Sequence, residues 1–229
     1  MGAKKKLERF AQLKTFSNVY EVGVYDVQEK DFELKGRWHE KHFKNDLPLV
    51  LELGCGKGEY SVGLGKKYPD KNFIGIDIKG NRMWVGAKEA LETKLNNVAF
   101  LRTRIDFLES MFDANEVDEI WITFPDPHVR EGKEKKRLTS PRFLNRYKKF
   151  LKPNGIIHLK TDSQMLHSYT LGVVEENDYA LIDATNNLYG EKIDQLDAET
   201  QEILSIKTHY ETLFSNDGYD ITYLKFRFS

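Results

Sequence analysis

The stretch that decides the fold is Leu-Val-Leu-Glu-Leu-Gly-Cys-Gly-Lys-Gly, at residues 49–58. Its first half is an apolar run with one acid, Glu52, which predicts a buried strand. Three glycines follow at alternate positions, and glycine adopts the backbone angles of tight turns and lets a ligand approach the chain closely. The stretch therefore predicts a strand that turns sharply into a helix, with a nucleotide-like ligand at the turn.

Apolar runs and amphipathic stretches alternate after this turn. The runs rich in β-forming residues lie at 49–53, 72–78, 98–101, 117–124 and 155–159. The amphipathic stretches between them lie at 60–67, 81–95, 141–151 and 163–176. Such alternation indicates a parallel sheet with helices on both faces, so we predict an α/β protein with an open, Rossmann-like sheet.

The two ends of the chain depart from this pattern. Residues 221–228 alternate between apolar and polar and predict a final antiparallel strand, with 180–184 as its companion. Residues 1–45 are basic and carry scattered aromatic side chains without a single periodicity. We therefore predict an N-terminal arm over 1–45 and one domain over 46–229.

The composition favours a folded protein outside membranes. Of 229 residues, 40 % are hydrophobic and 31 % charged, which is far from the composition of disordered chains. No apolar run reaches the roughly 20 residues of a spanning helix, and Met1 to Arg9 is charged. The single cysteine, Cys55, excludes an intramolecular disulfide. These features predict a cytoplasmic protein.

The positive charge of the chain is concentrated in one segment. A net charge of -1 alone argues against a nucleic-acid binder, but Val129 to Lys152 has a local charge of +8. This segment covers a loop and a helix after the fourth predicted strand, where it could neutralise several phosphates. The alternative is a solvated helix face balanced by acids elsewhere. The candidate phosphate contacts are Lys133, Lys135, Lys136 and Arg137.

The residues around the glycines favour one kind of ligand. Glu59 occupies the place of the third glycine in the dinucleotide fingerprint, which disfavours NAD. Glu52, ahead of Gly54 and Gly56, suits a ligand that carries an ammonium group. Asp77 ends the second predicted strand, where an acid can accept hydrogen bonds from both ribose hydroxyls. Together these residues indicate S-adenosylmethionine.

A rigid acidic turn follows the fourth predicted strand. Residues 124–128 read Phe-Pro-Asp-Pro-His, and two prolines fix the backbone on either side of Asp126. Ligands of open α/β sheets bind at the carboxyl ends of the strands, so Asp126 is expected near the cofactor's methyl group. The alternative is a turn that merely ends a strand.

Four ordered motifs resemble those of the bacterial tRNA (guanine-N7-)-methyltransferase family. They are Phe124–Pro127, Lys135–Thr139, Lys160–Asp162 and Thr208–Glu211. The resemblance runs from Leu49 to the C-terminus. It implies a class I methyltransferase fold, S-adenosylmethionine as donor with S-adenosylhomocysteine as product, and the variable-loop guanine at tRNA position 46 as acceptor. The histidines His39 and His42 have a ligand-like spacing but lack a third ligand, so the sequence implies no metal.

The resemblance also implies roles for individual residues. Asp126 would lie at the catalytic centre, and Glu52 and Asp77 would bind the cofactor. The substrate contacts would be Arg130, Asp162, Thr208 and Glu211.

Three positions depart from the family pattern. His128 stands where a tryptophan is usual, and Arg130 stands where a lysine is usual. Arg104 occupies the place of an acid that would bind the adenine amino group, with Asp106 two residues on. We therefore expect the adenine end of the cofactor at Arg104 to Asp106, without choosing one side chain.

The expected chemistry is an alkylation governed by positioning. Guanine N7 already has a lone pair in the ring plane, so no strong general base is required. Asp126 could stabilise the developing cation, and Asp162 or Glu211 could accept hydrogen bonds from the guanine edge. The alternatives are a methyltransferase for another nucleic acid, a protein or a small molecule, and a non-catalytic RNA-binding module. The oligomeric state stays open.

Overall fold

One sheet organises the chain, which the computed structural model describes at residues 3–23, 25–27, 30–196, 198–208, 211 and 220–229. Its strands, β1 to β8, span Val19–Glu21, Leu49–Leu53, Asn72–Asp77, Val98–Arg102, Val117–Thr123, Leu151–Thr161, Ala180–Thr185 and Thr222–Arg227. The helices α1 to α6 span Ala3–Leu13, Glu59–Lys67, Gly80–Glu92, Pro141–Tyr147, Gln164–Glu176 and Ala198–Leu204. Short 3-10 or π turns lie at Tyr25–Val27, His39–Phe43, Ile105–Ser110, Glu131–Lys136, Leu188–Lys192 and Ile193–Gln195. None of the described helices is both long enough and apolar enough to cross a bilayer.

The strand order confirms the predicted class. It runs β1-β4-β3-β2-β5-β6-β8-β7, with β1 to β6 parallel and β8 antiparallel to both β6 and β7. The chain leaves β2 toward β3 and β4 on one side and returns to β5 and β6 on the other. The order therefore reverses between β2 and β5, and a crevice opens at the carboxyl ends of these strands.

Strand β2 lies at the centre of the core. All five of its residues are buried, and they alternate between two apolar clusters, with Leu49, Leu51 and Leu53 on one face of the sheet and Val50 on the other. A strand covered on both faces reads as a continuous apolar run. This explains why the stretch at 49–53 identified the central strand.

The N-terminal segment, predicted as an arm, packs on the sheet. Strand β1 pairs in parallel with β4 at the edge, and α1 lies against α3. Leu13 and Trp38 are fully buried, each in a different cluster. Burying such side chains contributes about 1.5 to 3 kcal/mol each, which accounts for the docking of this segment.

Strand β6 begins earlier than predicted. The sequence Lys-Pro-Asn-Gly at 152–155 predicts a stop, yet the strand runs from Leu151. The register against β5 shifts, because Val117 pairs with Leu151 but Glu119 pairs with Ile156. The extra residues form a bulge, where Asn154 has a φ of 64°. The turn residues are thus absorbed as an irregularity within the strand.

Candidate active site

A cleft with a volume of about 560 Å³ opens at the carboxyl ends of β2, β3, β5 and β6. It brings together eight of the residues predicted from sequence: Glu52, Gly54, Gly56, Asp77, Asp126, Lys136, Asp162 and Thr208. An adjoining pocket of about 370 Å³ shares Gly54 and Asp77 with the cleft and is lined by Arg104 and Asp106. The predicted cofactor residues and two of the predicted substrate contacts, Asp162 and Thr208, therefore line these two adjoining pockets.

The glycine loop, residues 54–58, has the backbone conformation that its composition predicts. Gly54, Gly56 and Gly58 have φ values of 79°, 57° and 79°, a backbone region that residues other than glycine rarely adopt. A Cβ built on Gly54 would meet no atom within 4 Å. This glycine therefore borders open space, where the backbone can approach a ligand closely.

Glu52 lies at the floor of the cleft with an exposure of 3 %. Its carboxylate accepts hydrogen bonds from the Ser61 amide at 2.9 Å, the Thr123 hydroxyl at 2.8 Å and the Ser61 hydroxyl. Burial raises the pKa of Glu52 to about 7, although these hydrogen bonds oppose the shift. A buried acid of this kind fits a cationic group such as an ammonium, which would favour its charged form.

Asp77 ends β3 and connects two walls of the cleft. One carboxylate oxygen accepts from the Gly56 amide at 3.0 Å, and the other accepts from the Lys79 amide at 2.8 Å. Each oxygen retains a further acceptor site. Asp77 can therefore hold the glycine loop in place and still accept hydrogen bonds from two hydroxyls.

The adjoining pocket contains a polar group that the sequence analysis did not single out. Thr103 follows β4 and is 3 % exposed, and its hydroxyl has no hydrogen-bond partner among the described residues. Arg104 and Arg142 both bind the carboxylate of Asp106, at 3.1 and 2.7 Å. Asp106 is thus held between two cations, while Thr103, with its buried and unpartnered hydroxyl, belongs to the lining of the same pocket. Its position directly after a strand was the signal that could have identified it.

The residues of the two pockets fit the successive parts of S-adenosylmethionine, from its ammonium group through its ribose to its base. Glu52 offers a carboxylate for an ammonium, Asp77 offers acceptors for a ribose, and Thr103 offers an unpartnered hydroxyl for a base. The open face of Gly54 lies between them.

Asp126 is presented by a constrained turn. Phe124 and His128 have φ values of 47° and 43°, and each such residue costs about 1 to 3 kcal/mol of strain. The Asp126 carboxylate accepts from the His128 amide at 3.1 Å, yet 74 % of its side chain is exposed. The turn therefore fixes the backbone and leaves the carboxylate accessible from the cleft.

Asp162 and Thr208 also line the cleft. Asp162 directly follows β6, and its partial burial raises the pKa of its carboxyl, opposed by hydrogen bonds to its own backbone and to Thr161. Two carboxylates, Asp126 and Asp162, thus follow two neighbouring strands and share the cleft.

Of the four predicted substrate contacts, Asp162 and Thr208 line the cleft, whereas Arg130 and Glu211 do not. The Glu211 side chain is completely buried and forms an ion pair with Lys160 at 2.8 Å. Residues 209 and 210 of the same motif lie outside the described residues. A contact between Glu211 and substrate stays a prediction from sequence.

The basic segment divides into paired and unpaired residues. Arg142, Arg146, Lys149 and Lys152 form ion pairs with acids of neighbouring elements. Arg137 is 6 % exposed, donates to the His128 carbonyl and lies over the Tyr169 ring. Lys148 has no ion pair to any described residue, but its ammonium lies over the Tyr179 and Phe228 rings. The other exposed basic residues of this segment without such an ion pair lie at 130–136, which we call the basic loop: Arg130, Lys133, Lys135 and Lys136. Lys136 also lines the cleft, so this free charge lies at the mouth of the site.

Comparisons with known proteins show which sequences and structures this chain resembles. Residues 46–224 match a family model described as a putative methyltransferase. A protein of Christiangramia forsetii named tRNA (guanine-N(7)-)-methyltransferase is 50 % identical over 99 % of both chains. A protein of the same name from Porphyromonas gingivalis is 52 % identical over 93 % of this chain and 86 % of its own. The 16S rRNA methyltransferase KamB has a similar structure, with a TM-score of 0.61 and 16 % identity over 83 % of this chain and 92 % of its own.

Proposed function

The chain belongs to the tRNA (guanine-N7-)-methyltransferase family, and from this premise we propose how its residues divide the work of the reaction. It is an enzyme that transfers a methyl group from S-adenosylmethionine to N7 of a guanine in tRNA. The acceptor that we propose is the guanine of the variable loop, at tRNA position 46. The observation that carries the proposal is that Asp126 and Asp162 face the same cleft as Glu52 and Asp77.

The cofactor would lie along the carboxyl ends of β2, β3 and β4. Glu52 would hold the ammonium group, Asp77 the ribose hydroxyls, and the Thr103 to Asp106 segment the adenine. When bound, S-adenosylmethionine supplies an electrophilic methyl group on a sulfonium centre. The glycine loop, at Gly54 and Gly56, would let the backbone lie directly against it.

Asp126 would stabilise positive charge on the guanine and would not act as a general base. Guanine N7 carries its own lone pair, so the protein has no proton to remove before methyl transfer. Positive charge develops on the imidazole part of guanine, and a preorganised carboxylate stabilises such charge. The two prolines and the strained residues Phe124 and His128 hold Asp126 in place before substrate arrives. This limits the reorganisation required during the reaction.

Asp162 would read the Watson–Crick edge of guanine. A carboxylate accepts two hydrogen bonds side by side, and guanine offers two donors, its N1 and its exocyclic amino group. Asp162 lies in the cleft with Asp126, whereas Glu211 does not. The structure therefore favours Asp162 over Glu211 for this contact.

The basic loop would bind the tRNA backbone. N7 of the target base must first be exposed, at a cost of a few kcal/mol. Contacts from Arg130, Lys133, Lys135 and Lys136 to phosphates can offset that cost, and none of these side chains has to leave an ion pair with a described residue to make them. The paired residues, such as Arg142 and Lys149, would instead stabilise the helix behind the loop.

The proposal is tested by methyl transfer from labelled S-adenosylmethionine to unmodified tRNA transcripts, with the product mapped by N7-specific chain cleavage. We expect cleavage at the variable-loop guanine with the intact chain and loss of that product with Asp126→Ala. Cleavage at another guanine would correct the position. Full activity of the variant would remove Asp126 from the catalytic centre.

A further inference from the structure

Lys160 places a charge inside the protein, next to the cleft. It lies near the end of β6, and both its side chain and that of Glu211 are completely buried. The ammonium lies 2.8 and 2.9 Å from the two carboxylate oxygens of Glu211. A buried ion pair often adds little stability compared with apolar residues of the same size, so its presence calls for another explanation.

The ammonium of Lys160 joins several parts of one segment. It contacts the carbonyl of Leu204, the last residue of α6, the carbonyl of Ile206 just beyond the helix, and the Tyr189 hydroxyl at 3.2 Å. The Tyr189 hydroxyl in turn binds Glu211. The Lys160 ammonium thus contacts the backbone just before Thr208 and the side chain of Glu211 just after it.

Thr208 lies between these anchors and, among the described residues of the segment, is the one that reaches the cleft. Its hydroxyl accepts from the Glu211 amide at 3.1 Å. The preceding residues are also held by α2, since the Tyr60 hydroxyl donates to the Ile203 carbonyl at 2.9 Å. Thr208 is therefore fixed to the sheet through Lys160, whose strand continues directly into Asp162.

We infer that Lys160 and Glu211 are positioning residues that set Thr208 beside Asp162, and that Glu211 does not itself contact the guanine. The inference rests on the proposed function, because it takes the cleft as the site of the base. Its physical basis is the contrast between Thr208, which lines the cleft, and Glu211, which is buried behind it.

The test compares Lys160→Met, Glu211→Gln and the double variant in the full chain. Lys160→Met leaves a buried carboxylate without its cation, so we expect kcat/KM for tRNA to fall about tenfold or more. Adding Glu211→Gln removes that unpaired charge, and we expect the double variant to recover activity relative to Lys160→Met. A direct contact between Glu211 and guanine predicts the opposite, a further loss in the double variant, and that result would overturn the inference.

A second comparison uses a milder change and separates positioning from folding. Tyr189→Phe removes one hydroxyl of the network, and we expect a rise of about two- to fivefold in KM for tRNA with the Kd for S-adenosylmethionine unchanged. Thr208→Ala and Glu211→Gln should be non-additive, because both would disturb the same contact. Additive losses, or an unchanged KM in Tyr189→Phe, would contradict the inference.

The intact chain separates the two proposals. If it methylates no tRNA, the proposed function fails regardless of the variants. If it is active and the double variant is worse than Lys160→Met, the proposed function stands and only the positioning role of Glu211 fails.

Discussion

The amide of Gly56 donates a hydrogen bond to the carboxylate of Asp77 at 3.0 Å, which joins the turn after β2 to the end of β3. The same carboxylate is the proposed acceptor for the ribose hydroxyls. One side chain thus shapes the glycine loop and, in our proposal, would also contact the ligand that the loop would hold. Loss of this carboxylate should therefore affect the cofactor more than the fold.

Replacing Asp77 by alanine should weaken the binding of S-adenosylmethionine by about 10- to 100-fold, since it removes an anchor of the loop and two acceptors. Isothermal titration calorimetry measures the change in Kd. Asp70→Ala provides the control, because Asp70 is exposed and lies away from the cleft lining. Equal affinity of the two variants would exclude Asp77 from the cofactor site.

Replacing Asp126 by asparagine keeps the shape of the turn but removes its charge. We expect kcat to fall about 100-fold or more, with the Kd for S-adenosylmethionine nearly unchanged, because the charge is needed mainly as positive charge develops on guanine. Single-turnover methyl transfer measures the chemical step. Glu131→Gln, an exposed acid in the neighbouring loop, is the control and should retain activity. A defect confined to KM would argue for a binding role instead.

The two classes of basic residue should respond differently to substitution. Replacing Lys133, Lys135 and Lys136 together by alanine should reduce the magnitude of the salt slope of tRNA binding by about 2 to 3, one unit for each lost phosphate contact. The matched control replaces Arg146, Lys149 and Lys152, which are ion-paired to acids. It removes the same formal charge and should leave the slope closer to that of the intact chain. An equal reduction of the salt slope in the two triple variants would mean that both classes of residue contact RNA.

Cofactor binding should depend on pH through Glu52. Burial raises the pKa of Glu52 from 4.5 to about 7 in the folded protein. Its contribution to the free energy of unfolding is therefore fully present below the unfolded pKa and is lost as the pH rises through about 7. The carboxylate form binds the ammonium, so the gain in Tm from S-adenosylmethionine at fixed concentration should grow between about pH 6 and 7.5. Glu52→Gln should abolish this growth, and an unchanged pH profile would exclude Glu52 as its source.

The last glycine of the loop, Gly58, should not tolerate a side chain. A Cβ on Gly58 would lie 2.5 Å from the Phe100 ring, at a φ of 79°. Gly58→Ala should lower the free energy of unfolding by about 2 kcal/mol or more, through both the clash and the backbone strain. Gly132→Ala is the control, because its Cβ would meet no atom within 4 Å, and it should change stability by less than about 0.5 kcal/mol. Urea unfolding measures both, and equal stability would show that the loop can relax.

The sequence predicted the sheet and the ends of its strands well, because both depend on local patterns. The position of Glu52 and Asp77 in the cleft could be predicted since each lies at the end of a parallel strand, and such ends meet at one edge of the sheet. Asp126 could be identified from the prolines beside it, which restrict the backbone without help from distant residues.

The tertiary structure decided which charged and polar side chains are paired inside the protein and which can contact a ligand. The basic segment is uniform in sequence, but Arg142 and Lys149 meet acids that lie 36 and 40 residues earlier in the chain. Glu211 and Thr208 belong to one short motif, yet Lys160, 51 residues before Glu211, draws that carboxylate into the core while Thr208 reaches the cleft. Local sequence sets backbone preferences and apolar faces, whereas the partner of a charge depends on which elements the order of the strands brings together.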